Sequence, residues 1–286
     1  MTLSQLFLPL LLGLGIVHTA GAAPSSPGKS SGPHTRAELL AEVESIRPGQ
    51  PFTVALRLSM DKEWHTYWQN PGDSGYPTEI EWTLPDGFTA GPLQWPIPAR
   101  IGDRENLTYG YHDQVLLLTE IQPPADLAPG TPVTLKATAS WLECREACLP
   151  GEAKLQLELP VAAHGGKAVK GLRKDFGRTR QNLPLATSPW KVAARLLDNG
   201  YRLELTPPAP DCVCGPLVFL PSDGAVVDHG APQTTRKETE HIVVELLPSP
   251  FLEEPPERLR GVLVSTVGWN GAGSPVALAI DVPLLP

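Results

Sequence analysis

Residues Thr131–Val161 read TPVTLKATASWLECREACLPGEAKLQLELPV. Two strand candidates, TPVTLKATASWLE and AKLQLELPV, flank a short segment that holds Cys144 and Cys148. The pattern predicts a β-hairpin with the cysteine pair at its tip. Working outward, period-two patterning begins near Ala37. AELLAEVESI gives a strand, RPGQ a turn, and PFTVALRLSM a second strand with Phe52, Val54, Leu56 and Leu58 on one face. KEWHTYW, TEIEWTLP and QVLLLTEIQ continue the series, punctuated by PGDSGYP, PDG, PPADLAPG and LPGE, which supply the Gly, Pro and Asp of tight turns. Short strands at this spacing, without a long helix, predict a β-sandwich. Strands resume in WKVAARLLDNGYRLELTP, a hairpin whose Asp198-Asn199-Gly200 signals a type I′ turn. GPLVFLP, EHIVVELLP, LRGVLVSTVGW and SPVALAIDVPL then predict a second, smaller sandwich.

The 286 residues carry 23 basic and 31 acidic side chains, a net charge of −8. That balance argues against nucleic-acid partners, which require neutralised phosphates. Proline at 33, glycine at 26 and an aromatic share of 6% disfavour a helical bundle or coiled coil, so the chain is expected to be all-β. Leu3–Val17 is an apolar run followed by Ala20 and Ala22 in a small-x-small pattern, so residues 1–22 read as a secretory signal peptide. The run is shorter than the roughly 20 residues of a membrane-spanning helix. Residues 23–36 are Ser/Pro/Gly-rich and read as a flexible leader. Residues 164–184 hold six basic side chains against Asp175 and read as a basic linker between β domains at 37–163 and 185–286.

Four cysteines in an exported chain are too few for a dense disulfide scaffold, and three pairings are open to them. Cys144-x3-Cys148 can bridge if its loop coils through about one turn. Such a small ring restricts the unfolded chain little, so an exposed bond of this kind is better placed for exchange than for stability. A structural local bridge is the plainer alternative. Zinc is disfavoured because no second Cys-x2-Cys pair or His-x3-His arrangement exists. Glu143 and Glu146 would raise a neighbouring thiol pKa and Arg145 would lower it, so local charge selects no attacking sulfur. Cys212-x-Cys214 on one strand would be near the geometric limit of a disulfide; a soft Cu(I)-type thiolate site or two free thiols are its other readings.

The stretch WHTYWQNPGDSGYPTEIEWTLPDGFTAGPLQWPIPARI (Trp64–Ile101), then LTYGYHDQVLLLTEI and WLECREACLPG, resembles the periplasmic N-terminal region of the DsbD-type thiol:disulfide interchange proteins, in particular the ScsB-like branch associated with copper tolerance. The resemblance covers most of residues 37–163, with an echo in VFLPSDGAVVDHGAPQ and RLRGVLV. It implies an immunoglobulin-like β-sandwich for the first unit, a periplasmic location and thiol:disulfide exchange without a cofactor; with the second sandwich read from the strand pattern, the expected fold is two immunoglobulin-like β-sandwich domains in tandem. By the same resemblance Cys148 would form the mixed disulfide and Cys144 would resolve it. A cap loop over the pair would correspond to Leu107–His112, with Tyr109 and Tyr111 as shields. The implied donor is a membrane electron relay of DsbD or CcdA type or a thioredoxin-like domain, and the acceptors are oxidised periplasmic proteins. Full-length relatives continue into membrane and thioredoxin-like domains, which are not found up to Pro286; the chain is expected to borrow its electrons, to be a fragment, or to have lost the reductase role. The Cys212/Cys214 pair is outside the family pattern.

Two other functions compete with exchange. A copper-binding module would use cysteines with His65, His112 or Met60, although these lack metal-ligand spacing. A non-catalytic interaction module would stack sugars on Trp64, Trp68, Trp82 and Trp95, residues that more often pack a core. Asn106-Leu107-Thr108 is a glycosylation sequon, meaningful only in a eukaryotic secretory host.

Overall fold

The computed structural model describes residues 30–209, 215–269 and 276–286. The described residues open with β1 (Ser30–Ser31), β2 (Thr35–Ala41) and β3 (Phe52–Met60). β4 (His65–Gly72), β5 (Glu79–Thr83), β6 (Thr89–Ala90), β7 (Ala99–Gly102), β8 (Leu107–His112) and β9 (Gln114–Gln122) follow. β10 (Val133–Cys144) and β11 (Cys148–Leu159) form the long hairpin read from the sequence, and α1 (Arg173–Gln181) comes next. The rest is β12 (Lys191–Leu197), β13 (Gly200–Thr206), β14 (Leu217–Pro221), β15 (Thr234–Lys237), β16 (Ile242–Leu246), β17 (Arg258–Ser265) and β18 (Ala277–Leu285). The chain is mostly β, with one α-helix among the described residues.

Three sheets result. β1-β2-β3-β9-β6 makes the first; β11-β10-β4-β8-β7, with β5 also on β10, makes the second; β14-β17-β18-β12-β13-β16-β15 makes the third. The first two share one core. Alternate residues of β2, β3 and β9, including Leu39, Val54, Leu56, Leu58 and Leu117, pack with Trp68, Tyr109, Trp141 and Leu155 of the second sheet. Burial of this apolar surface, at about 25 cal/mol per Å², is what holds the layers together. The third sheet encloses its own cluster around Trp190, Tyr201, Phe219, Val244 and Trp269. Its Leu220, Val262 and Ala277 join the first core, so the two β units meet through apolar contact.

One expectation changes here, and two segments read from composition carry structure. The β12–β13 hairpin is present, with Leu197 opposite Gly200. Asp198 and Asn199 both keep negative φ, so the turn is not type I′, which needs positive φ at both positions. The basic linker is ordered against the first sheet: α1 buries Phe176 among Ala55, Leu116 and Leu118, and Arg180 makes paired 2.5 Å hydrogen bonds to the Glu42 carboxylate. Ser30 and Ser31, placed in the leader by composition, pair with Ala37 and Arg36.

Candidate functional site

β10 and β11 stay in register to their ends, where Cys144 stands opposite Cys148 and Arg145–Ala147 closes the tip. The two sulfurs form a disulfide with Cα atoms 4.2 Å apart. Strand alternation turns Trp141 and Glu143 toward the core and Cys144 toward the opposite face. Cys144 is nonetheless only 3% exposed, whereas Cys148 is exposed. A partner approaching the tip therefore meets Cys148 before Cys144.

Neighbouring strands furnish that face. His65 of β4 stands opposite Cys144, and His112 of β8 stands opposite His65, so the three occupy one transverse row. The two imidazoles have centroids 5.7 Å apart. Burial, aided by the His112 charge, holds the His65 pKa down at about 4, so His65 is neutral at neutral pH. Tyr67, two residues along β4 and on the same face, places its hydroxyl 3.6 Å from Cys148 Sγ. Burial pushes the Tyr67 phenol pKa up, which keeps its proton available for donation to the sulfur. Gly75 lies flat on the Tyr67 ring: a Cβ there would come within 2.3 Å of it, at a φ of +114°. Only glycine lets the loop approach so closely.

Beneath the tip, Glu143 is fully buried and its carboxylate accepts hydrogen bonds from His34 N at 2.8 Å and Trp141 Nε1 at 3.1 Å. His34 in turn stacks on Trp64 with ring centroids 3.7 Å apart. At the surface, Arg145 pairs with Glu63 at 3.2 Å and approaches Glu146 at 3.9 Å. Its charge is thus shared between carboxylates.

The remaining expected residues are placed elsewhere. Leu107–His112 is a strand within the second sheet, not a loop, because its backbone pairs with both β4 and β7. Tyr109 and Tyr111 point into the core, opposite the disulfide face. The Tyr109 hydroxyl is 3.1 Å from His229 Nδ1, and the Tyr111 hydroxyl donates to Pro96 O at 2.7 Å. Burial raises both phenol pKa values. Their geometry supports packing rather than shielding of the cysteines. Cys212 and Cys214 lie outside the described residues.

The copper ligand set is divided: Met60 is a core residue that receives a hydrogen bond from Thr66, which faces away from His65. Among the described residues no group of three or more His, Cys, Asp or Glu is arranged to hold a metal ion. The tryptophans do not form an exposed row, since Trp68 is buried and Trp64, Trp82 and Trp95 pack partly against the core. Sequence reading missed Tyr67 and Gly75. The alternation in KEWHTYW puts Tyr67 on the His65 face, but its meeting with Cys148 depends on a pairing of β4 with β10 that spans two residue pairs.

Residues 36–160 match the protein family described as "Thiol:disulfide interchange protein DsbD, N-terminal". Among solved structures, the crystal structure of the N-terminal periplasmic domain of ScsB from Proteus mirabilis aligns with a TM-score of 0.63 at 15% identity, covering 92% of this chain and 100% of that one. At that identity the likeness speaks for the fold. A comparison with curated proteins returns no match. No helix among the described residues is long and apolar enough to cross a membrane.

Proposed function

From the match of residues 36–160 to the family of DsbD N-terminal domains we propose that the chain is a periplasmic thiol:disulfide exchange module acting through Cys144 and Cys148. The observation that carries this reading is the asymmetry of the hairpin tip, where Cys148 is exposed and Cys144 is buried. In the reduced protein the Cys148 thiolate attacks one sulfur of a substrate disulfide and expels the other as a thiolate, which takes up a proton. Cys144, as thiolate, then attacks Cys148 Sγ and releases the second substrate thiol. Two electrons pass to the substrate, and the Cys144–Cys148 disulfide seen in the structure is the oxidised product. Tyr67 donates a hydrogen bond to the Cys148 sulfur and so favours its ionised form.

A dithiol of the thioredoxin-like or membrane-relay class returns the two electrons, and oxidised periplasmic proteins receive them. In this reading 37–163 is an immunoglobulin-like redox sandwich, 164–184 its linker and 185–286 a second sandwich. The test is trapping by single variants. Cys144→Ser should accumulate a mixed disulfide with an oxidised substrate through Cys148, read by mass; Cys148→Ser should not. Equal trapping by both variants, or by neither, would reject the assignment. A wild-type reduction potential between roughly −270 and −120 mV fits electron passing, whereas one below about −300 mV marks a structural bridge.

A further inference from the structure

A second site lies along β5, away from the cysteines. β5 pairs only with β10, so among the described residues its other edge carries unpaired backbone N–H and C=O groups. A groove of about 600 Å³ is lined by β5 and by the Gly91–Trp95 segment facing it. The strand alternates Glu79 and Glu81, both exposed, with the half-buried Ile80 and Trp82. Glu152 of β11 adds a third exposed carboxylate. None of the three enters a salt bridge among the described residues.

An independent observation points to a ligand: Thr78, which lines the groove, is 2% exposed and its Oγ1 has no hydrogen-bond partner. Trp82 Nε1 in the same wall is also buried and unpartnered. Buried polar atoms are rarely left unsatisfied without a reason. We infer that this groove binds an extended peptide segment of alternating basic and apolar residues, added as a strand to the free edge of β5. Backbone pairing would satisfy the open edge, and strand alternation would set basic side chains beside Glu79 and Glu81 and apolar ones beside Ile80 and Trp82. The charge favours a basic segment over a neutral sugar.

The inference rests on the exchange reading in naming the occupant as a segment of the protein being reduced. Ser140, opposite Glu79, is four residues along β10 from Cys144, about 14 Å at strand rise. A segment in the groove thus holds its own disulfide within reach of the hairpin tip.

The test uses the full chain and an octapeptide of alternating Lys and Val, with binding followed by calorimetry. Binding should fall at least tenfold for Glu79→Lys/Glu81→Lys, for an Asp/Val counterpart, and for a Lys/Val peptide N-methylated at alternate positions. Equal binding of the Lys and Asp peptides, full binding of the N-methylated peptide, no peptide binding, or occupancy by a neutral hexasaccharide instead would overturn it. A second arm reduces the protein and times exchange with a disulfide-bearing Lys/Val peptide and with a small aromatic disulfide. The double variant should slow the first about tenfold and leave the second unchanged; equal slowing of both overturns the docking role. If the wild type binds peptide but exchanges with neither disulfide, the groove stands and the exchange reading falls. Exchange without peptide binding does the reverse.

Discussion

A phenol that burial keeps protonated has a proton to offer a Cys148 thiolate, and Tyr67 holds it 3.6 Å from that sulfur. Hydrogen bonds to charged acceptors contribute about 1.5–3 kcal/mol, and one pKa unit is about 1.4 kcal/mol. A contact this long belongs at the lower end. Tyr67→Phe should therefore raise the Cys148 thiol pKa by about one unit and slow exchange at pH 7 by up to about tenfold. Alkylation rates of the reduced protein across pH 5–10 read this directly; a superimposable profile would show that the hydroxyl has no hold on the sulfur. Gly75 tests the same contact from the other side. Gly75→Ala puts a methyl group 2.3 Å from the Tyr67 ring at a φ that disfavours any side chain. The ring or the loop must shift, at a cost of about 2 kcal/mol, measurable by urea unfolding. Exchange should slow along with it, because the displaced ring carries the hydroxyl.

The β10–β11 hairpin separates what the disulfide does from what packing does. A cross-link closing so short a loop stabilises by about 2 kcal/mol at most in the chain-entropy account. Replacing both Cys144 and Cys148 by Ala should lower unfolding stability by no more than that. Glu143→Ala should cost more, about 3 kcal/mol, because it takes the acceptor from the His34 N–H and from the Nε1–H of the buried Trp141. Denaturation of the two variants side by side checks the order; a larger loss from the cysteine pair would make the bridge structural. This hairpin was legible from sequence because its two strands alternate about one short loop and need no distant partner. β8 was not: the resemblance drew Leu107–His112 as a loop, although alternation puts Tyr109 and Tyr111 on one face, where the core takes them. α1 lies in a polar, basic stretch, and what docks it is Phe176 together with the Arg180–Glu42 pair, neither of which has a periodic signature. The cysteines of the site were readable as a motif. Tyr67 was not, because only the register between β4, β8 and β10 brings that face together.

Across the whole molecule, β4 and β8 serve both the disulfide and the junction of the two β units. The β4 bulge between Tyr67 and Gly72 lets Asn70 donate to Pro221 O at 2.8 Å and Asp223 O at 3.1 Å, while Tyr109 of β8 meets the buried His229. His65 at the disulfide end and His229 at the junction are both held below the usual histidine pKa, chiefly by burial; for His229 the carboxylates of Asp73 and Asp228 oppose that shift and Arg100 adds to it. The sign of the pH effect follows. Above the unfolded value of 6.5 both states are neutral and nothing is lost. Below it the unfolded chain binds protons that the native protein refuses, so stability falls as the pH drops, until the folded pKa is reached. For His65 that window runs from 6.5 to about 4, worth at most about 3 kcal/mol by linkage; His229 adds in the same direction. The depressed carboxylates Glu42, Glu245 and Asp281 act at lower pH, since their contribution is lost only below their unfolded values of 4.5 and 3.8. Urea unfolding at pH 7.5, 6, 5 and 4.5 should thus show a progressive loss, and His65→Phe should flatten its slope without abolishing the His229 share. Stability that stays level from pH 7.5 to 5 would mean that neither imidazole is kept neutral by the fold, and that the face beside Cys144 is wetter than its burial indicates.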